Sequence, residues 1–284
     1  MTGTEESTSV DFDFPPLQEL TFEAIPVDEN GGTIGVLRIN RPERMNSQTI
    51  KMFSEYGEAA FALRDAPLRA LILTATGTRA FCAGFDLDEI HRITEMGVRE
   101  FLKFQETATG GIQGIHFLPF PVIAAIHGPA TGGGLALALA ADIRLCDPAA
   151  KFSAAFVKVG LSVGELGTSY HLTRLLGPAK AAEIGYTARI VDAEEAERIG
   201  LVNRVVPTES LFDEAVGMAR VISQNSPGGV RMSKRAIQRN QEITSYAAAL
   251  ELENRGQALM SRTADMPEAL AAFKEKRAPR FTGE

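Results

Sequence analysis

The chain has 284 residues, 45% hydrophobic and 23% charged, which is an ordinary globular balance with material for one large α/β domain or two modest ones. Its formal net charge of −7 sits at the start: no Lys or Arg precedes Arg38, and Glu5, Glu6, Asp11, Asp13, Glu19, Glu23, Asp28 and Glu29 account for the whole deficit. A near-neutral body without a basic cluster argues against nucleic acid, and no apolar run approaches the roughly 18 residues that cross a bilayer.

Residues 1–16 read as a disordered acidic lead-in, unlike an apolar secretory signal or an Arg-rich presequence. Cys82 and Cys146 are too few for a disulfide framework, which fits free thiols and a cytoplasmic setting. His91, His116, His127 and His171 show no metal-ligand spacing, so no metal site is expected.

In chain order, 33–40 and 70–75 are short β-favouring runs. Between them Asn46-Ser47 can cap a helix whose Ile50, Phe53, Ala60 and Leu63 form an apolar face. Further strands are expected at 122–126 and 143–146. Apolar on both faces and separated by helices, these strands predict a sheet covered on both sides. From Ser169 onward the pattern is helical, at 170–176, 178–187, 193–199, 209–225, 230–238, 245–262 and 267–276. Breaks fall at Gly177-Pro178, Pro207 and Ser226-Pro227. The expected organisation is a strand-rich core over 17–210 and a helical region over 211–284.

Two glycine-containing turns each follow a strand and precede a helix: Phe81-Cys82-Ala83-Gly84-Phe85-Asp86-Leu87, and His127-Gly128-Pro129-Ala130-Thr131-Gly132-Gly133-Gly134. Glycine permits backbone approaches that a Cβ would forbid, and a helix start presents unpaired N–H groups. Side by side, two such turns could aim two N–H donors at one oxygen. Either turn alone is equally an ordinary tight strand-to-helix connection.

Four ordered motifs make the pattern specific. Asn40-Arg41-Pro42-Glu43-Arg44-Met45-Asn46-Ser47 resembles the early NRPxxxNA segment of the crotonase (enoyl-CoA hydratase/isomerase) superfamily. The turn 81–87 resembles its F-x-A-G-x-D-L, and 126–134 its N-G-x-x-x-G-G-G. Residues 273–281, Phe-Lys-Glu-Lys-Arg-Ala-Pro-Arg-Phe, match the closing F-x-E-K-R-x-P-x-F. The resemblance implies an α/β fold, a spiral of ββα turns with a C-terminal helical trimerisation region, and an acyl-CoA substrate. It implies a thioester carbonyl bound by the N–H groups of Phe85 and Gly133. Arg44, Met45, Ala83, Asp86 and Leu87 would line the adenine and pantetheine path, and Phe273 and Lys276 the nucleotide end, Lys276 often from a neighbouring subunit. It further implies a homotrimer or dimer of trimers, and no cofactor beyond the coenzyme A of the substrate.

The chain departs from the family where hydratases carry two glutamates: those positions hold Ala136 and Phe156, neither able to transfer a proton. Glu165, in Gly160-Leu161-Ser162-Val163-Gly164-Glu165, lies just before a helix where some relatives place an acid. Facing an apolar pocket suggested by Phe85, Leu135, Phe156 and Leu166, it would be raised toward neutrality and suit a general acid/base. The alternative is that it only complements the next helix N-terminus. Asp86, Asp88 and Glu89 read as capping and surface residues.

The expected function is enoyl-CoA hydration, with isomerisation by Glu165 alone, or acyl-CoA binding without catalysis, as alternatives. Residues 160–164 also fit the G-x-S-x-G elbow of serine hydrolases, with 157–159 as its strand. That chemistry requires a later His, and only His171, on the next helix, follows. Cys82 lacks a partnered His and reads as a small buried residue.

Overall fold

The computed structural model describes residues 14–27 and 32–284. The strands are β1 Leu20–Pro26, β2 Thr33–Ile39, β3 Ala70–Ala75, β4 Val122–Ile126, β5 Pro129–Thr131, β6 Ile143–Cys146, β7 Lys151–Ser153, β8 Val191–Asp192 and β9 Arg204–Val205. The helices are α1 Ile50–Leu63, α2 Ile90–Glu95, α3 Val98–His116, α4 Gly133–Ala140, α5 Thr168–Thr187, α6 Ala193–Arg198, α7 Leu211–Ser223, α8 Pro227–Asn240, α9 Tyr246–Met260 and α10 Asp265–Glu275.

A six-stranded sheet runs in the order β1-β2-β3-β4-β6-β9, parallel from β2 onward, with β1 antiparallel on its edge. A second sheet, β5-β7-β8, continues the chain beyond the ends of β4 and β6. Alternation along the central strands splits the core in two. Leu71 and Leu73 of β3 and Val122, Ala124 and Ile126 of β4 join α1, α3 and α4 on one face. Ala70, Ile72, Ile123 and Ala125 meet Leu211, Ala215, Val216 and Ala219 of α7 on the other. The sheet is therefore covered on both sides, as its doubly apolar strands predict. All eight residues of α4 are buried, the behaviour of a helix apolar all round.

Two local expectations need correction, and one break is found where it was expected. The cap of α1 is Thr49, whose Oγ1 accepts from Met52 N–H at 2.9 Å, because Asn46 and Ser47 are used elsewhere. The break expected at Gly177-Pro178 is present: Gly177, at φ 76° and ψ 163°, is non-helical and divides α5 into two helical stretches that meet at a kink. Residues 155–159 form a 3-10 turn, not a strand. The acidic lead-in falls largely outside the described residues, and Phe14 already stacks on Phe22 at 4.4 Å between ring centroids. Among the described residues, no helix is long and apolar enough to cross a membrane.

Candidate active site

The two glycine turns are stitched together at the ends of β3 and β4. Cys82 N–H donates to Pro129 C=O and Thr131 N–H to Cys82 C=O, both at 3.0 Å. On its other flank the first turn pairs with Gln48, whose N–H donates to Gly84 C=O at 2.7 Å while its C=O accepts from Asp86 N–H at 2.8 Å. In such a parallel bridge the middle residue, Phe85, turns its own N–H away from the partner. That N–H has no acceptor among the described residues, and neither has the N–H of Gly133, which opens α4.

Glycine is required for the two turns to meet. A Cβ on Gly84, at φ 102°, would stand 2.8 Å from Thr131 O and 3.9 Å from Gly133 N, and one on Gly134 would collide with Cys82 C=O. Two unpaired donors on adjacent turns are the arrangement that a hole for a carbonyl oxygen gaining charge during reaction requires.

The segment ahead of α1 locks the first turn in place. Met45 and Asn46 both adopt left-handed backbone, at φ 52° and 55°. Asn46 Oδ1 accepts from Arg41 N–H at 2.9 Å, and its Nδ2 donates to Thr76 C=O at 2.9 Å and Ala80 C=O at 2.8 Å. Ala83 N–H reaches Met45 C=O at 3.1 Å. Arg41 and Arg44 grip Asp86 at 2.9 and 3.1 Å, Ser47 Oγ donates to it at 3.1 Å, and Arg44 also pairs with Asp88. Burial works against the charged form of Asp86, but the hydrogen bonds from Arg44, Arg41, the Asp88 N–H and Ser47 prevail and hold it well below the usual carboxylate range. Asp86 does cap the turn at 87–89, as expected, yet it is buried rather than a surface residue. Glu89 accepts from Ile50 N–H at 2.7 Å.

Glu165 stands across from this assembly, at the turn into α5. Leu166 and Gly167, at φ 51° and 78°, reverse the chain there. A Cβ built on Gly133 would lie 3.5 Å from Leu166 Cδ1, so Glu165 is one residue removed from the hole. Its carboxylate does not cap α5, which has no side-chain cap; it accepts instead from Gln105 Nε2 of α3 at 3.5 Å. Burial raises Glu165 above the ordinary glutamate value, only partly offset by the Gln105 hydrogen bond. Ala136 and Phe156 are both buried, and Phe156 Cε1 would lie 3.9 Å from a Cβ on Gly132. The Phe85 ring packs against Phe53 and Phe104 at 6.2 and 6.1 Å, giving the hole an aromatic wall.

The structure thus gathers Arg44, Met45, Ala83, Phe85, Asp86 and Gly133, leaves Leu87 exposed, and sets Glu165 next in the chain to Leu166, which reaches Gly133. Phe273 is exposed and Lys276 ends α10. That helix is tied down through Asp265 to Ser226, and the following Phe281 C=O accepts from Arg69, just ahead of β3 and so at the opposite end of that strand from the first turn. The elbow reading loses its strand, and Ser162 Oγ accepts from Gly164 N–H at 3.1 Å. Burial pushes the Cys82 thiol up to about 12, which leaves it a poor nucleophile.

Sequence reasoning missed Gln48, which is fully buried. Besides its main-chain bridge to the first turn, its Nε2 donates to Gly133 C=O at 3.3 Å, so one residue ties both halves of the hole. Its Oε1 has no partner and sits where a Gly133 Cβ would go. Only tertiary packing reveals that role.

An α/β core with two unpaired N–H groups on adjacent turns at the ends of parallel strands, and a desolvated carboxylate one residue from the leucine that reaches the second turn, fits a class that stabilises an oxyanion and moves protons. The family model described as Enoyl-CoA hydratase/isomerase matches residues 29–284. A Mycobacterium tuberculosis (strain ATCC 25618 / H37Rv) protein named "Probable enoyl-CoA hydratase EchA12" is 39% identical over 272 residues, covering 93% of this chain and 94% of its own. "Crotonyl-CoA hydratase" of Syntrophomonas wolfei is 36% identical over 249 residues, covering 87% of this chain and 94% of its own. The crystal structure of enoyl-CoA hydratase from Bacillus anthracis superposes with a TM-score of 0.86 at 33% identity, covering 94% of this chain and all of that one. The chain belongs to the enoyl-CoA hydratase/isomerase family of the crotonase superfamily and is an acyl-CoA enzyme of that family.

Proposed function

We propose that the protein adds water reversibly to a 2-enoyl-CoA, with Glu165 carrying the proton both ways. The observation that carries this reading is the pair of unbonded N–H groups, of Phe85 and Gly133, together with a desolvated carboxylate one residue from Leu166, whose side chain reaches Gly133. The thioester carbonyl accepts from both donors. Glu165 takes a proton from water as the water oxygen attacks the β-carbon, and the carbonyl π electrons move to the oxygen held in the hole. The resulting enolate collapses as Glu165 returns that proton to the α-carbon, so the net change is one added water. Each step moves a proton or a water, and coenzyme A enters only as part of the substrate.

Arg44, Met45, Ala83, Asp86 and Leu87 would line the path of the pantetheine and adenine. Phe273 and Lys276, across the sheet from their own hole, would serve a neighbouring subunit's nucleotide in a trimer. A second reading rests on the replacement of both usual glutamates by Ala136 and Phe156. A lone carboxylate can shuttle a proton between two carbons, which is double-bond isomerisation. Mass spectrometry of enoyl-CoA thioesters incubated with the protein decides between them. A gain of one water is expected; a moved double bond without mass gain in ordinary water assigns the isomerase, and binding without conversion across the panel refutes both.

A further inference from the structure

Behind the turn that carries Glu165 lies a cavity of about 390 Å³, within the size range of ligand sites. It is lined by Leu166 and Gly167 of that turn, by Ile112 and His116 of α3, and by His171 and Gln238; His171 stands beside the turn, 3.6 Å from a Cβ built on Gly167. Leu166 faces two ways. It is 8% exposed, its Cδ1 approaches the hole to 3.5 Å from a Cβ built on Gly133, and it also lines the cavity. It stands at φ 51°, a backbone region that side chains with a Cβ rarely occupy and that persists where surrounding structure over-determines it.

The α3 wall links the reacting carboxylate to the same space. Gln105, which donates to Glu165, is followed on that helix by Thr109, Ile112 and His116, all of which line the cavity. At 1.5 Å per residue, this stripe extends roughly 16 Å along α3 from Gln105 to His116. One leucine side chain therefore both reaches the hole at Gly133 and forms part of the wall of this space.

We propose that Leu166 is a specificity-determining partition that ends the acyl pocket after a short chain, making the substrate class a short-chain 2-enoyl thioester. This rests on the acyl-CoA reading of the site and names the acyl group that the site takes. A longer tail meets Leu166, whereas trimming that side chain joins the hole to the cavity, where Ile112 and Phe117 offer apolar lining. Each methylene that then becomes buried is worth roughly fourfold in affinity.

The test compares the wild-type protein and L166G with 2-enoyl-CoAs of four to ten carbons, and measures Kd for saturated butyryl- and decanoyl-CoA, which needs no turnover. Glycine is chosen because φ 51° suits it. For the wild type, kcat/KM is expected to fall at least tenfold from four to ten carbons. In L166G the ten-to-four-carbon ratio is expected to rise at least tenfold, in both kcat/KM and affinity. In L166G/H171F, where a larger ring takes up part of the cavity, that gain should shrink. Equal handling of four and ten carbons by the wild type overturns the partition, even if L166G fails to fold. So does a folded L166G with an unchanged ratio. If no enoyl-CoA is converted while the affinity ratio still shifts, the hydratase reading fails and the partition stands.

Discussion

The two halves of the site are built differently. The hole is backbone, held from every side: Gln48 bridges both turns, Asn46 spans three backbone partners, and two arginines clamp Asp86 beneath the first turn. The acid half is one side chain on an irregular segment with left-handed residues at 160, 166 and 167, and Glu165 has a single 3.5 Å side-chain partner. The contrast separates what is fixed by the fold from what is set by one residue. On the proposed reading, binding and polarisation of a thioester would rest on packing, whereas the reaction that follows would depend on a carboxylate with one 3.5 Å side-chain partner among the described residues.

The sharpest way to break that division is Glu165→Gln, which should lower kcat by about 10²–10⁴ while Kd for an acyl-CoA changes less than about threefold. Steady-state kinetics with calorimetry reads both; a parallel loss of affinity would show that the two halves are one unit. Next is Gly133→Ala, whose Cβ would run into Gln48 Oε1 and displace one donor. A loss of about 10²–10³ in kcat is expected, together with a lower Tm.

Asp86→Asn tests the clamp through stability. Breaking a buried ion pair costs about 3–5 kcal/mol, and because Arg44 is 43% exposed and can return to water, about 3 kcal/mol is expected by denaturant titration. Because the native carboxyl is held below its unfolded value of about 3.9, its contribution is present at neutral pH and fades as pH falls through the depressed native value. The variant should therefore show a flatter acid-unfolding profile. Smaller again is Gln48→Leu: about tenfold in kcat with little change in Tm, since loss of the side-chain hydrogen bond is offset by removal of an unpaired buried oxygen. Smallest is the pH effect. The acid limb of kcat/KM should fall above the ordinary glutamate value of about 4.3, because Glu165 acts as a base only when ionised and burial disfavours that form; Glu165→Asp should move that limb.

Much of this was legible in the sequence, for physical reasons that differ by element. β3, β4 and β6 are short apolar runs bounded by turns, and their limits follow directly from that pattern. The turns at 81–87 and 127–134 were readable because glycine marks positions where no Cβ fits. α3 was not read: its Gly110 and Gly111 look like a break, but Gly111 packs against α1, where a Cβ would come 2.7 Å from Phe53 O. Its buried Ala108, Gly111, Ile112 and Ile115 do keep helical spacing. β1 escaped because an edge strand that is acidic on its outer side lacks the doubly apolar pattern. Gln48, Arg41 and Gln105 could not be assigned, since their partners lie 85, 45 and 60 residues away.

The measurement that bears most directly on the site is exchange of the α-hydrogen of butyryl-CoA in heavy water, followed by mass spectrometry for the wild type and Glu165→Gln. Exchange needs only enolate stabilisation in the hole and a base beside it, whichever reaction the enzyme completes. Deuterium uptake by the wild type, with loss of at least a hundredfold in the variant, is the predicted result. Uptake at equal rates in both, or none in a wild type that binds butyryl-CoA, would contradict the pairing of the Phe85–Gly133 hole with Glu165.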